Sequence, residues 1–249
     1  MYRFIIIFCV HLLLSSCSQT QNKDLTATAL LSKTMEAHGA EAFYDSQIEF
    51  YHDISKYTVN YSREGRTNNS IERQVNNIDY MATYNNGLMQ YYINDSLQPS
   101  TSYNNKILNT RLDAFLYTFS IPHVFNTNDV NASLLADATI NKKTYHSLNI
   151  KFKEIEGVYD DHFILYIDPG TYLIKYMAID HLITGEVKQF RRYVNFRTIQ
   201  DIVFADYYIF TPSENSVELH QLFERFNSRD ISEKGQVILD SIRITPANK

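Results

Sequence analysis

The stretch from Phe163 to Ile167 is apolar at every position, and it constrains the fold more than any other part of the sequence. Side chains alternate between the two faces of an extended strand, so positions 163, 165 and 167 point to one face and positions 164 and 166 to the other. A strand that is apolar on both faces has to be shielded from water on both. The run therefore predicts a strand that lies in the middle of a sheet beneath a helix, or one that lines a cavity.

Much of the remaining chain alternates apolar and polar residues, as strands do. Aromatic residues make up 14% of the sequence while glycine and proline are scarce, which also favours strands over a helical bundle. Asn86-Gly87, between two such segments, is a strong hairpin signal. The predicted strands are 47–52, 57–61, 71–75, 79–84, 88–93, 148–152, 162–167, 173–180, 186–196, 202–210 and 237–244.

Two helices are predicted near the ends of the chain. Asp24 is a candidate cap for a helix from Leu25 to His38, and Gly39 is well placed as the residue that ends it. A second segment with helical spacing runs from Val217 to Phe226.

A further helix interrupts the strands in the middle of the chain. Leu112, Phe115, Leu116 and Phe119 follow the spacing i, i+3, i+4 and i+7, and Pro122 ends the pattern. These large apolar side chains form one stripe that must be buried, most simply against the concave face of a sheet. The stripe is either part of an ordinary hydrophobic core or the lining of a ligand cavity. In a half-closed barrel the same side chains would form both.

The first 16 residues have the form of a signal peptide that ends at Cys17. Arg3 precedes an apolar run from Phe4 to Leu14, which is too short to span a bilayer because spanning needs about 20 residues. Small residues directly before Cys17 are typical of a lipobox, in which the thiol receives diacylglycerol and becomes the new N-terminus. The alternative is an ordinary signal peptide with an incidental cysteine.

The predicted organisation is a lipoprotein signal peptide at 1–16, a polar tether at 17–24 and a single domain at 25–249. Two or three acyl chains on Cys17 would hold the protein firmly on a membrane, since one chain alone binds weakly. Ser18 after the lipidated cysteine fits outer-membrane sorting by analogy with well-studied lipoproteins. The lack of an acidic run after Cys17 favours the periplasmic face over surface display.

Composition excludes several classes of function. Removal of Cys9 with the leader leaves Cys17 alone, which excludes an intramolecular disulfide, thiol catalysis and cysteine-based metal centres. The formal net charge of −5 argues against nucleic-acid binding and against adhesion to an anionic membrane surface. No cofactor is expected, and an envelope protein or a hydrophobic small molecule is the expected partner.

Asp160-Asp161-His162 is the best candidate for chemistry in the sequence. Two carboxylates beside an imidazole are suited to holding a divalent metal or to acid/base catalysis. Adjacent residues of a strand point to opposite faces, however, so Asp161 would diverge from both of its neighbours. A solvated turn at the entry to a strand is therefore the favoured interpretation, and neither a metal site nor catalytic residues are predicted.

Three arginines are candidates for binding an anionic group such as a phosphate or carboxylate. On a strand from Glu186 to Phe196, Arg191 shares its face with Tyr193 and is the arginine that we assign to a ligand site. The alternative for Arg191, Arg192 and Arg197 is structural pairing with an aspartate at position 180, 201 or 206.

Six short motifs resemble a family of bacterial lipoproteins of unknown function, the DUF6503 type, between Leu30 and Thr245. They are Glu36-Ala37-His38-Gly39, Ile48-Glu49-Phe50, Leu116 to Pro122, Asp160 to Phe163, Phe190-Arg191-Arg192 with Asn195 and Arg197, and Phe204 to Tyr207. Such proteins are similar to the carrier and receptor proteins (LolA and LolB) that sort outer-membrane lipoproteins. The resemblance implies an α+β fold: a strongly curved antiparallel sheet, an incomplete β-barrel, with helices packed in and across its concave face.

Three functions follow, in order of preference. The first is a non-enzymatic lipoprotein that binds an acyl chain or another hydrophobic moiety, with Leu112, Phe115, Leu116, Phe119 and Arg191 lining the cavity. The second is a structural lipoprotein with a filled core that binds another envelope protein. The third is a hydrolase that uses Asp160, Asp161 or His162.

Overall fold

The structure is a computed structural model that describes residues 25–44, 46–62, 65–66, 68–85, 88–99, 115–116, 118–125, 130–152, 161–180, 188–214 and 216–246. The predicted signal peptide, Cys17 and the tether up to residue 24 lie outside the described residues. So do Leu112 and Asp160.

Helices make up a small part of the described chain. They are α1 (Ala27–Ala37), α2 (Ala40–Tyr44) and α3 (Leu222–Ser228), the last preceded by a single 3-10 turn at Leu219–Gln221. Residues 115–116 and 118–119 are also helical and lead into a turn that ends at Phe125. We call residues 115–116 and 118–125 the central segment.

Strands dominate the structure. They are β1 (Ser46–His52), β2 (Ser55–Ser62), β3 (Gly65–Arg66), β4 (Asn68–Val75), β5 (Ile78–Asn85), β6 (Leu88–Ile93), β7 (Ser96–Leu97), β8 (Val130–Ile140), β9 (Lys143–Phe152), β10 (His162–Ile167), β11 (Ile174–Asp180), β12 (Gln189–Ile199), β13 (Ile202–Pro212), β14 (Ile231–Val237) and β15 (Asp240–Pro246).

The strands form two curved antiparallel sheets, neither of which closes into a barrel. The first sheet has the order β15-β1-β2-β4-β5-β6-β7, with β3 paired to β2, and the second has the order β14-β13-β12-β11-β10-β9-β8. The predicted α+β fold with an incomplete barrel is confirmed, but the hydrogen bonding divides the predicted single sheet in two. The chain passes from the edge of one sheet to the edge of the other through only Ile238 and Leu239, between β14 and β15.

Strand β10 is covered on both faces, as its sequence predicts. Positions 163, 165 and 167 pack with Leu30 and Leu31 of α1 in a cluster that we call the α1 core. Positions 164 and 166 pack with Leu219 and Leu222 in a cluster on the opposite face, the α3 core. The second sheet therefore has a helix on each side of it.

A third cluster, the central core, lies between the two sheets and the central segment. Its buried members include Ile48, Phe50 and Val59 of the first sheet, Phe204 of the second sheet and Leu116 of the central segment. Ile48 and Val59 are directly opposite each other on β1 and β2, so the alternation of these strands carries their apolar side chains to one face. The central segment thus covers that face of the first sheet.

Helix α1 begins two residues later than predicted because Thr26 caps it. The Thr26 hydroxyl accepts a hydrogen bond from the backbone N–H of Ala29 at 3.1 Å, which satisfies one of the free donors of the first turn. At the other end Gly39 adopts φ +83°, as expected for the residue after a helix. A Cβ at this position would collide with the carbonyl oxygen of Asp201 and lie 2.9 Å from the Cα of Ile202, so glycine also permits the close approach of α1 to the β12–β13 turn.

Within the described residues, no helix combines the length and the apolar character needed to cross a bilayer.

Candidate functional site

The predicted ligand-lining stripe lies on the central segment, with the exception of Leu112, which is outside the described residues. Leu116 is completely buried, whereas Phe115 and Phe119 are partly buried and pack against the central core. The Phe119 ring stacks on Phe50 with centroids 4.3 Å apart, and the Phe115 ring lies 4.7 Å from that of Tyr57. The central segment therefore lays its aromatic rings directly on the apolar face of the first sheet.

A few polar contacts hold the central segment in place. The Tyr44 hydroxyl donates a hydrogen bond to the backbone carbonyl of His123 at 2.5 Å, which links α2 to the segment. The His123 ring stacks on Phe43 at 4.1 Å. Within the segment, the Ser120 hydroxyl donates to the carbonyl of Leu116 at 2.9 Å. The described contacts that hold the central segment are therefore mostly apolar, and another apolar group could make such contacts in its place.

Arg191 is a buried cation at the boundary between two apolar clusters. The residue is only 5% exposed. On one side it is paired with Met177 of the α1 core, and on the other with Ile209, which packs against the central core. Tyr193, two residues further along the same face, packs against both cores. Arg191 therefore lies on the α1 side of the second sheet and not on its α3 side.

The guanidinium of Arg191 is held by a neutral acceptor. Its Nε and Nη2 atoms both donate to the side-chain oxygen of Gln189, at 3.2 and 3.0 Å, and its Cζ lies 4.8 Å from the centre of the Tyr207 ring. Its Nη1 atom has no hydrogen-bond acceptor among the described residues. Those residues also supply no ion pair to Arg191.

The neighbouring phenol of Tyr193 does not supply the missing negative charge. Burial raises the pKa of Tyr193 far above its ordinary value, and the opposing influence of the Arg191 guanidinium is smaller. Tyr193 is thus a neutral phenol at physiological pH, whereas the guanidinium remains protonated. The result is a positive charge within an apolar interior, next to groups that can hydrogen-bond but do not neutralise it.

Arg192, by contrast, lies on the α3 side of the same strand. It is paired with Tyr176 of the α3 core, and its guanidinium lies 4.8 Å from the centre of the Tyr208 ring. The two adjacent arginines therefore point to opposite faces of the sheet, where Arg191 is buried and Arg192 is half-buried. They therefore cannot clamp one ligand together.

Arg197 is engaged in structural pairing, one of the interpretations that the sequence left open. Its Nη2 atom donates to the carboxylate of Asp206 at 3.0 Å and to the carbonyl of Leu239 at 2.5 Å. Asp206 is buried and also accepts hydrogen bonds from the side chain of Asn195 and from the backbone N–H of Leu239, both at 3.0 Å. This group of residues ties β12 and β13 to the connection between the two sheets.

The structure describes only part of the Asp160-Asp161-His162 motif. Asp161 is buried just before β10 begins, and His162, the first residue of β10, is half-buried with its Nε2 atom hydrogen-bonded to the side-chain oxygen of Asn149. Burial lowers the pKa of His162, with Lys151 adding to the effect. No group of three or more potential ligands suited to a metal ion occurs in the part of the chain that the structure describes.

His38 is a hydrogen-bonded core residue. It is buried, and its Nε2 atom is 3.1 Å from the backbone nitrogen of Ile174, which donates to it. Its own carbonyl accepts from Val203 at 3.2 Å. His38 therefore has a structural role in the interior of the domain and does not face a site that is open to a substrate.

Sequence reasoning identified Arg191 and Tyr193 on one face but missed Gln189 and Tyr207. Gln189 lies two residues before Arg191 on β12, so the period of a strand was a sufficient signal for it. Tyr207 comes from β13, opposite Tyr193, and depends on a register that only the structure provides.

The comparisons with known proteins agree with the predicted family. The sequence pattern of DUF6503, described as a family of unknown function, matches residues 1–242. No curated protein matches the chain in sequence.

Several solved structures are similar at low identity. A domain described as an outer-membrane lipoprotein-sorting protein from Vibrio parahaemolyticus is 9% identical with a TM-score of 0.46, over 88% of this chain and 93% of that one. A DUF1329 family protein from Desulfovibrio piger is 10% identical with a TM-score of 0.42, over 88% and 92%. The complex of MucA and MucB from Pseudomonas aeruginosa provides a chain that is 9% identical with a TM-score of 0.26, over 72% and 75%.

Proposed function

Since the chain belongs to the DUF6503 family, whose function is unknown, we propose its function from the geometry of its interior. The protein is a non-enzymatic lipoprotein that binds an acyl chain or a similar hydrophobic moiety between the first sheet and the central segment. The observation that carries this proposal is the contact of Phe115 and Phe119 with the apolar face of β1 and β2.

The nature of that contact supports a central segment that a ligand can displace from the first sheet. The two rings rest on Phe50 and Tyr57 at 4.3 and 4.7 Å, yet both phenylalanines remain partly exposed. Stacked rings of this kind gain their stability from apolar burial, which is non-directional. An acyl chain would make the same kind of contact with the sheet, at about 25 cal/mol per Å² of apolar surface removed from water.

Ligand binding requires the central segment to move away from the first sheet. Its rings occupy the surface of the first sheet that a ligand would cover. The segment is short, and the Tyr44–His123 hydrogen bond links it to a neighbouring helix. Among the described residues, movement of this segment breaks few directional contacts with the rest of the domain.

The proposal includes the anchor and the location. Lipid on Cys17 would hold the domain at the periplasmic face of the outer membrane, with residues 18–24 as the tether. Incorporation of radiolabelled palmitate into the wild-type chain, and its absence in Cys17→Ser, tests the anchor independently of ligand binding.

Lipids that co-purify with the full-length protein, identified by mass spectrometry, provide the first test of ligand binding. The second test is titration with a fluorescent fatty acid. We expect Phe119→Ala to raise the affinity several-fold, because the mutation removes a ring that competes with the ligand. Phe226→Ala, which removes a ring from the α3 core on the other side of the second sheet, is the matched control and leaves the affinity unchanged. Absence of lipid together with no binding of the probe would refute the proposal.

A structural lipoprotein with a filled core is the second candidate. It is favoured by the close stacking of the central-segment rings and by Leu134 and Leu135, which are 43% and 40% exposed on the edge strand β8. An exposed apolar pair on an edge strand is a suitable contact for another protein. This alternative predicts that neither the wild type nor Phe119→Ala binds the fluorescent fatty acid.

A hydrolase ranks third, and we propose that the protein is not an enzyme. Asp161 and His162 are consecutive residues at the start of an extended strand, where neighbouring side chains diverge. Asp161→Ala would abolish any hydrolysis that depends on this pair, whereas the binding function predicts no effect on probe affinity.

A further inference from the structure

Arg191 carries a charge that the described residues do not balance. A buried ion is destabilising unless an opposite charge or a full set of hydrogen bonds compensates it. Gln189 provides one neutral oxygen for two of the guanidinium nitrogens, and Nη1 has no acceptor among the described residues. The position therefore favours an anion that is not part of the described residues.

We infer that Arg191 binds the anionic head group of an amphiphile whose hydrocarbon chain lies in the central core. The inference rests on the proposed function and narrows the ligand from any hydrophobic moiety to a single-chain amphiphile with an anionic head, for which a fatty acid is the simplest case.

The direction of the guanidinium fits this role. Its Nε and Nη2 atoms share one oxygen of Gln189, and the Tyr193 hydroxyl also hydrogen-bonds to the guanidinium. Nη1 has no acceptor among the described residues, so its N–H groups are left for a ligand. These N–H groups are suited to charge-assisted hydrogen bonds with an oxygen of a carboxylate or phosphate. The Tyr207 ring, with its centre 4.8 Å from Cζ, fixes the plane of the guanidinium.

The surroundings fit an amphiphile better than a free anion. Met177 and Ile209 flank Arg191 on the neighbouring strands, and Tyr193 connects the α1 core to the central core. A head group bound to Arg191 would therefore lie at the boundary between the α1 core and the central core. A free anion such as acetate or phosphate would gain nothing from these apolar neighbours.

The test compares palmitate with methyl palmitate, which has the same chain length but no charge. Competition against the fluorescent fatty acid gives the affinity of each for the full-length protein. A charge-assisted hydrogen-bonded pair predicts that palmitate binds about ten- to a hundredfold more tightly. In Arg191→Met this preference disappears while methyl palmitate still binds.

Arg192→Met is the matched control. It replaces an adjacent arginine on the same strand by the same residue, but on the α3 side, and it keeps the full preference for palmitate. Acetate and inorganic phosphate identify a site for free anions if they displace the probe as well as palmitate does. Palmitoyl lysophosphatidic acid carries the same chain on a phosphate head group. Binding as tight as that of palmitate shows that the site recognises any anionic head group, and weaker binding shows that it prefers a carboxylate.

The outcomes separate this inference from the proposed function. If methyl palmitate binds as tightly as palmitate, or if Arg191→Met keeps the preference, Arg191 is not the head-group site although the protein binds hydrophobic ligands. If the free anions displace the probe as well as palmitate does, the site binds free anions and the inference of an amphiphilic ligand is wrong. If neither palmitate nor its ester binds, the proposed function itself fails. The comparison of the two ligands on the wild type remains decisive if Arg191→Met does not fold.

Discussion

The Nε2 atom of His38 accepts a hydrogen bond from the backbone N–H of Ile174 at 3.1 Å inside the protein. Only a neutral imidazole can accept this bond, because protonation places a hydrogen on the accepting nitrogen. Burial, and secondarily Lys175, lowers the pKa of His38 to about 3. The ring of His123, whose centre is 6.5 Å away, is likewise buried, and its pKa is well below the ordinary value.

We predict that acid destabilises the domain through these two histidines. The unfolded chain takes up a proton near pH 6.5, whereas folded His38 does not do so until about pH 3, so the unfolded state binds more protons in between. The stabilisation is complete above pH 6.5 and is lost as the pH falls toward 3. Each histidine costs up to about 1.4 kcal/mol per pH unit in that range. Urea unfolding at several pH values measures the slope.

His38→Gln should reduce the slope between pH 6.5 and 4, because the amide does not titrate. The exposed His220 provides the control, and His220→Gln should leave the slope as in the wild type. Equal slopes in the wild type and His38→Gln would contradict the assignment.

Gly39→Ala should be strongly destabilising. The substitution places a side chain at φ +83° and drives its Cβ into the backbone of Asp201, so the β12–β13 turn has to shift. We expect a loss of more than about 2 kcal/mol in the free energy of unfolding. Gly235→Ala is the control because a Cβ at that position has no atom within 4 Å, and its effect should stay below about 1 kcal/mol.

Asp206→Ala should destabilise the domain by about 2 kcal/mol. The mutation leaves the Arg197 guanidinium and the backbone N–H of Leu239 without their acceptor. Asp230→Ala removes a carboxylate from an exposed ion pair with Arg225 and should cost only about 0.5 kcal/mol. Similar losses in both variants, measured by thermal unfolding, would show that Asp206 does not hold the connection between the sheets.

Tyr44→Phe should loosen the central segment. The mutation removes the hydroxyl that donates to the carbonyl of His123 and should cost about 1 kcal/mol. Amide hydrogen exchange at residues 118–125 should become faster, with little change in the strands of the second sheet. Tyr92→Phe removes an exposed hydroxyl that bonds to Gln90 and should change neither measurement.

The strong periodic signals in the sequence predicted much of the fold. The two-sided burial of β10 and the ending of α1 at Gly39 were both predictable, because each depends on local pattern alone. Strand β8 was not predicted, since Leu134 and Leu135 of this edge strand face solvent and a shift of register after Leu135 disrupts its alternation.

The candidate site was predictable up to the first irregularity of β12. Arg191 and Tyr193 precede a shift of register between Val194 and Arg197, so strand alternation places them on one face correctly. Beyond it, Asn195 adopts φ +51° and the alternation no longer applies. The choice of Asp206 as the partner of Arg197 therefore depended on tertiary structure.

The layer of α3 behind the second sheet has a mechanical consequence. With α1 on one face and α3 on the other, the middle strands of that sheet are clamped, and their bending would open two apolar interfaces at once. The outer strands β5, β6 and β7 of the first sheet have no fully buried residue. Any widening of the interior to admit a ligand must therefore come from movement of the outer strands of the first sheet, while the second sheet keeps its shape.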